Sequence, residues 1–368
     1  MLRSSIALTF ITALVGSPTI SDATTWHVPS QCPTIQAGID SASAGDTVLV
    51  ACGTYHDCTH PDPWGNLYCI IMKSGVCLLG ATGEADCGTI DAERQGQVVY
   101  CDGLDSTTTI KGLTVTGGSS GGVAGGMWCH ACSLRIENCL FVENDAFHGG
   151  GIYSTESSLV IVDCTFSANA GWFGPGGLFF GESTPRLVGC TFVDNSEGGV
   201  TCSSSDIVFE DCAFIRNWRM DSGAALRTGS SSVTMTRCTF SGNVSGGAVV
   251  SCGTGSTIQM QICLLASNPA GAGAIHCGED CIITMTCCDV HGNPGGDWVS
   301  CIADQYGVNG NFSEDPMFCD LESDDYHLQE FSPCIDGYGC GRIGAFGQDC
   351  SGSATRQSTW SSLKALYR

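Results

Sequence analysis

The phrase VDCTFSAN at 162–169 returns as VGCTFVDN at 188–195, EDCAFIRN at 210–217 and TRCTFSGN at 236–243. Anchored on its cysteine, it marks Cys139, Cys164, Cys190, Cys212, Cys238, Cys263 and Cys288, with a degenerate copy at Leu113; the intervals are 26, 25, 26, 22, 26, 25 and 25 residues. Five residues after each cysteine stands an asparagine: Asn144, Asn169, Asn195, Asn217, Asn243, Asn268 and Asn293. Such a period, rich in Gly and β-branched residues and without helical spacing, restricts the chain to a solenoid of short strands whose units bury their apolar faces against one another.

Apolar residues recur five and three residues before each cysteine and two after it, as in Leu134, Ile136 and Phe141 or Ile207, Phe209 and Phe214. The period is two on either side of the cysteine and slips by one residue just before it, so two strands meet there at a bend. A third strand follows a small-residue pair in GGMWC (125–129), GGIY (150–153), GGLFF (176–180), GGVTC (198–202), GAAL (223–226), GGAVV (246–250) and AGAI (272–275). Three strands per coil, stacked at about 4.8 Å, predict an all-β parallel coil of triangular section, roughly 40 Å long over eight repeats and longer with its caps. Asn tolerates a left-handed corner and carries both donor and acceptor, so the asparagine column is read as a structural ladder. The cysteine column is read as small buried side chains packed beside Phe and Leu.

The segment PTIQAGIDSASAGDTVLVACGTYHD (33–57) resembles the opening of many secreted bacterial right-handed parallel β-helix proteins of the pectin-lyase-like fold, and SEDPMFCDLESDDYHLQEFSPCID (313–336) is similar to the closing turns of a subgroup. Thr34 is placed to cap a short helix whose Ile35 and Ile39 share a face, with Gly45 after its end and Thr47 to Val50 as the first strand; the helix would plug the open end of the coil. The resemblance covers about 33–347 and implies a scaffold shared by polysaccharide lyases, hydrolases, esterases and adhesins. The hydrolase phrases NTD, DD, GHG and RIK are absent as a set, as is the lyase pattern of calcium-binding carboxylates with a strand-borne arginine. Scaffold is thereby implied and reaction left open.

Arg3 followed by an apolar run from Ile6 to Val15 and small residues to Ala23 predicts a secretory signal over 1–23, a β-helix domain with its caps over 24–347, and a Ser/Thr linker with a basic tail over 348–368. In that tail Trp360, Leu363, Leu366 and Tyr367 recur at helical spacing, as an envelope-docking or sorting segment would have them. Twenty-six cysteines fit an oxidising, extracellular or cell-surface destination. No later run is long enough to span a membrane. A net charge of −23 disfavours nucleic acid and polyanions, while a Gly-, Ser- and Thr-rich surface suits neutral polar ligands.

Between each asparagine and the next small-residue pair lie the most variable segments: DAFH (145–148), AGWFGP (170–175), SE (196–197), WRMDS (218–222), VS (244–245) and PAGA (269–272). Phe147, Trp172, Phe173 and Trp218 would form an aromatic stripe suited to sugar rings. Asp145, Glu197 and Asp221, assisted by His148 or Arg219, are the catalytic candidates if the protein cleaves polysaccharide as a lyase or glycoside hydrolase. The main reading is a non-catalytic interaction scaffold that binds a polysaccharide or other cell-surface glycan; the third is a structural spacer or adhesin. No cofactor is expected, calcium being the one the reading allows. Cys52, His56, Cys58 and His60, and the CxxC of Cys129 and Cys132, lack the partner pair of a zinc site, and the cysteines of both groupings are expected to form disulfides. NVS (243–245) and NFS (311–313) are glycosylation sequons, the first inside the ladder.

Overall fold

The computed structural model describes residues 23–350. The expected signal segment, apart from Ala23, and the tail beyond 350 lie outside them.

The chain winds as a right-handed parallel β-solenoid of about 11 turns. Three sheets run the length of the rod. The first face has 11 strands, from Thr25–Val28 to Ile282–Thr286; the second and third have 10 each, the second running from Gly53–Tyr55 to Asp289–His291. The pairing is in register and parallel, as in Leu140↔Thr165, Phe141↔Phe166 and Val142↔Ser167, except at the N-terminal edge of the third sheet, where His60–Pro61 runs antiparallel to Leu67–Ile71. Three coils beyond those counted in the sequence come from the N-terminal part, where the repeat phrase is missing but the strands still stack.

Thr25–Val28 precedes the helix and pairs with Thr47–Val50, so the strand expected to open the coil is the second. The helix Ile35–Ser41 forms as expected: the Thr34 hydroxyl accepts a hydrogen bond from the Ala37 amide at 3.1 Å, and Ile35 and Ile39 are buried over the coil end.

Within the repeat, each corner is made by a single left-handed residue. On the first corner, directly before the cysteine column, stand Asn138, Asp163, Gly189, Asp211 and Arg237 with φ between 49° and 64°. That residue reverses the alternation and turns both Ile136 and Cys139 inward, which accounts for the slip of parity in the sequence. On the second corner the left-handed residue directly precedes the ladder asparagine (Glu143, Ala168, Asp194, Arg216, Gly242), so the asparagines themselves are not left-handed. Their role is carried by the side chain alone. Asn144 Nδ2 donates to Asn169 Oδ1 at 3.1 Å, and the pattern repeats unbroken through Asn195, Asn217, Asn243 and Asn268 to Asn293 at 2.9–3.1 Å. Close passage of neighbouring coils explains the small-residue pairs: a Cβ on Gly177 would sit 2.1 Å from the Gly199 carbonyl oxygen.

The third corner holds a second ladder. The backbone N–H groups of Cys132, Ser157, Ser183, Ser205 and Ser231 each donate to the next serine hydroxyl, ending at Ser256, at 3.0–3.2 Å. Cys132 therefore occupies a ladder position, and its sulfur lies 3.2 Å from the His130 carbonyl oxygen. This corrects the expected disulfide at CxxC: Cys129 and Cys132 are both free and buried. Cys52 and Cys58 do form disulfides, with Cys87 and Cys69.

The interior is apolar. Phe141, Phe166, Phe192, Phe214 and Phe240 stack at centroid distances of 4.7–5.1 Å, and the seven column cysteines lie beside them, free and buried. Burial pushes the thiols of Cys164, Cys190, Cys238 and Cys288 well above the ordinary value. Both sequons are buried, Asn243 in the ladder and Asn311 against the Met285 and Gln305 carbonyls.

The segment 313–336 does not close the coil by adding a turn. Phe318–Asp320 and Asp325–Leu328 form an antiparallel hairpin that folds back over the second face. The reason is apolar surface: Val193, Ala213, Ile215, Leu264 and Ala266 point outward there and are covered by Phe318, Tyr326, Leu328 and Ile343, forming a second core. Arg216 locks the hairpin, bonding Asp194 at 2.8 and 2.9 Å, Tyr326 at 3.2 Å, and Asp324.

Candidate functional site

The variable segments do lie on one edge, at the second corner. Asp145–Ala146 pairs with Ala170–Gly171, and Trp218–Arg219 with Val244–Ser245, so even these loops begin as stacked backbone. Phe147, Trp172 and Phe173 come together: the Phe147 ring lies 5.4 Å from Phe173, edge to face, and 6.4 Å from Trp172. Trp172 is 66% and Phe173 72% exposed. His148 packs against Gly174, where a Cβ would sit 2.1 Å from His148 Nδ1. The close contact requires glycine.

Trp218 does not join the three. It stands in register with Ser196 and Val244, at the first position after its asparagine, whereas Phe147 and Trp172 stand at the third. Two coils, about 10 Å, also separate it along the axis from Trp172. The short SE turn at 196–197 interrupts the stripe.

Two of the three predicted carboxylates, Asp145 and Asp221, are engaged with arginines. Asp145 accepts from Arg94 at 2.5 Å and from the Ser119 hydroxyl at 3.1 Å. Asp221 accepts from Arg219 and, at 3.3 Å, from Arg227. Arg219 is buried and also donates to the Glu197 carbonyl oxygen at 2.6 Å, which ties two neighbouring loops together. Glu197 is half-buried on a left-handed backbone (φ 56°). Among the described residues no three His, Cys, Asp or Glu groups converge in a way that would hold a metal ion.

Two further surfaces were not singled out in the sequence. On the outside of the third face, Trp128 stacks on Tyr100 at 4.8 Å and Tyr153 on Phe179 at 4.8 Å, with Trp64 edge-on to Trp128. Their signal was present: they are the outward residues of the third strand in MWC, IYS and LFF. Rings stacked along the rod cover one another's faces and offer mainly edges to solvent, so they act as cross-strand packing. The second surface is a groove of about 420 Å³ across the second face, floored by Leu140, Thr165, Thr191 and Ala213. Its floor threonines are the T of the repeated CTF, but the walls come from residues 84–85 and 324–346, far away in sequence. In one wall, burial pushes the Tyr326 hydroxyl up; at Arg216 burial opposes the charge, and the Asp194 carboxylate outweighs it and shifts the guanidinium upward.

The family model of the right-handed beta helix region matches residues 97–262 and 189–313, together more than half of the chain. No curated protein sequence matches. Solved structures of similar chain path include pectate lyase Pel9A, at 15% identity over 90% of this chain and 98% of that chain, with a TM-score of 0.48. Another is the Geobacillus virus E2 ORF18 protein, at 16% identity over 68% of this chain and 56% of that one, with a TM-score of 0.37. Pectin methylesterase from carrot follows at 11% identity, covering 82% and 91%, with a TM-score of 0.38. At these identities the likeness is one of fold alone. The repeat, the three parallel sheets and the family match together make this chain a member of the right-handed β-helix family.

Proposed function

We propose that the protein is an extracellular, non-catalytic scaffold that binds a neutral polysaccharide or cell-surface glycan on the Phe147, Trp172 and Phe173 cluster. The observation that carries this reading is the cluster itself: three large apolar rings joined through Phe147, with Trp172 and Phe173 largely exposed, on loops whose backbone is stacked into a rigid rod. Exposed apolar rings are costly to present to water and are used where a ligand covers them. Six disulfides support an oxidising, extracellular location. The arginines on Asp145 and Asp221 support binding over acid–base work, because their N–H donors occupy the oxygens that a reacting sugar would need.

The test is pull-down of residues 24–368 on a panel of insoluble polysaccharides, combined with assays for reducing ends and unsaturated products, with and without calcium. Retention without product release, lost in Trp172→Ala and Phe173→Ala, is the expected result. Product release that disappears in Asp145→Asn, Glu197→Gln or Asp221→Asn would replace this reading with the polysaccharide-cleaving one.

A further inference from the structure

Met220 stands three residues after Asn217, as Phe147 stands three after Asn144 and Trp172 three after Asn169. At the same phase the other ladder coils carry glycine: Gly198, Gly246, Gly271 and Gly296. The position holds a large apolar side chain or none. The phase is kept in space because these segments leave the ladder as paired backbone, Asp145–Ala146 on Ala170–Gly171, Ser196 on Trp218, and Trp218–Arg219 on Val244–Ser245. Met220 therefore belongs to the column of Phe147 and Trp172, two coils or about 10 Å beyond Trp172 and three coils or about 14 Å beyond Phe147. It is 74% exposed, and Trp218, two residues before it, is 43% exposed.

The edge thus carries two apolar islands with a gap at the turn of Ser196 and Glu197. The second island is fixed to that turn: the buried Arg219 guanidinium donates to the Glu197 carbonyl oxygen at 2.6 Å and to the Asp221 carboxylate. Gly246 lets the next coil lie against the Met220 carbonyl, where a Cβ would sit 2.2 Å from the oxygen. Charge at each island is compensated, Asp145 by Arg94 and Asp221 by Arg219 and Arg227. Glu197, in the gap, makes no ion pair among the described residues. Its carboxylate repels an anionic chain and accepts from hydroxyl donors.

Resting on the glycan-binding reading above, we propose that the ligand is an extended, uncharged chain of equatorially linked pyranose units lying along the rod axis over four coils. One sugar face lies on Phe147, Trp172 and Phe173 and another on Trp218 and Met220, while hydroxyls of the units between them donate to Glu197. Sugars in such a chain repeat at close to the spacing of one coil, about 4.8 Å, so a straight column with one position per coil stays in step with them. A disaccharide reaches one island only, and a chain that coils leaves the column within a few units.

The test is isothermal titration calorimetry of the purified protein with β-1,4-linked gluco-, manno- and xylo-oligomers from dimer to hexamer, with maltohexaose as the coiled probe and β-1,4-hexamannuronate as the charged one. A Trp218→Ala, Met220→Ser variant removes the second island from exposed positions, and its melting temperature checks the fold. The expected result is that at least one neutral series gains about tenfold or more in affinity between dimer and hexamer, as two linked contacts give. The double variant should lose that gain and bind the dimer as the parent does, and maltohexaose and hexamannuronate should bind more weakly than the best neutral hexamer. Affinity independent of length, a gain that survives in the folded double variant, or equal binding of the coiled or the charged hexamer overturns the proposal and leaves the Phe147, Trp172 and Phe173 site standing. Failure of every oligomer at about 10 mM, together with no retention on insoluble polysaccharide, overturns both.

Discussion

Replacing Asn195 by alanine removes the centre of the asparagine ladder. Asn195 is fully buried; its Oδ1 accepts from both the backbone N–H and the Nδ2 of Asn169, each at 3.1 Å, and its Nδ2 donates to Asn217 Oδ1 and to the Phe166 carbonyl, each at 2.9 Å. Truncation orphans two donors of Asn169 in a space closed to water. At ~1–3 kcal/mol for each unsatisfied buried group, the loss is about 4 kcal/mol. At the end of the ladder, Asn144 Oδ1 accepts only from the Gly118 amide, at 2.9 Å, so Asn144→Ala orphans one donor and should cost about 2 kcal/mol. Both changes leave the same small void, so the difference isolates the ladder. Because solenoids unfold in parts, the assay is amide hydrogen exchange at Asn169 and Gly118 alongside the melting curve. Asn195→Asp should be worse than alanine, since it places a negative charge beside the Asn217 and Phe166 oxygens. Equal cost for Asn195→Ala and Asn144→Ala, or a well-tolerated Asn195→Asp, would refute the reasoning.

Further outcomes follow from burial and charge. Asp289 is buried at the last coil of the second face, where desolvation pushes its carboxyl up to about 7 against the backbone N–H of Glu314 and the Cys334 thiol, both of which bond it. With its folded pKa above the unfolded value, its contribution is full below about pH 4 and is lost as pH rises through about 7, on the order of 4 kcal/mol at most; Asp289→Asn should flatten the fall in melting temperature between pH 5 and 8. Of the 14 free cysteines only Cys77 is not buried, so a thiol reagent should titrate at most about one group in the native protein and all 14 in denaturant; fast native labelling of the column would contradict the packing role. Arg216→Ala should cost about 2 kcal/mol, between an exposed and a buried ion pair, and make 318–346 the first site of limited proteolysis. An unchanged digestion pattern would show that the apolar cover suffices without Arg216.

The repeat determined the fold before any coordinate did. A 25-residue period with inward residues on both sides of a slip of parity can only be satisfied by strands that stack on copies of themselves, so face, register and the asparagine ladder follow from local chemistry repeated. The same logic found the loops with Phe147, Trp172 and Phe173, since variable segments at a fixed phase must share an edge. What it could not give were properties that depend on segments without the repeat. The serine ladder was hidden because a serine hydrogen-bonds as readily in any turn, and only stacking turned Ser157, Ser183 and Ser205 into a column that also claimed Cys132. Trp218 looked equivalent to Trp172 by composition, but two residues of register place it elsewhere. The groove lay beyond reach altogether: its walls bring Glu84 and Tyr326 to the same floor, and that depends on how far a non-repeating hairpin must travel to cover the apolar residues of the second face. Within the solenoid each contact is with the next coil, so sequence phase specifies it; the return of the C-terminal segment is a long-range burial of apolar surface, and only the tertiary structure decides where that surface lies.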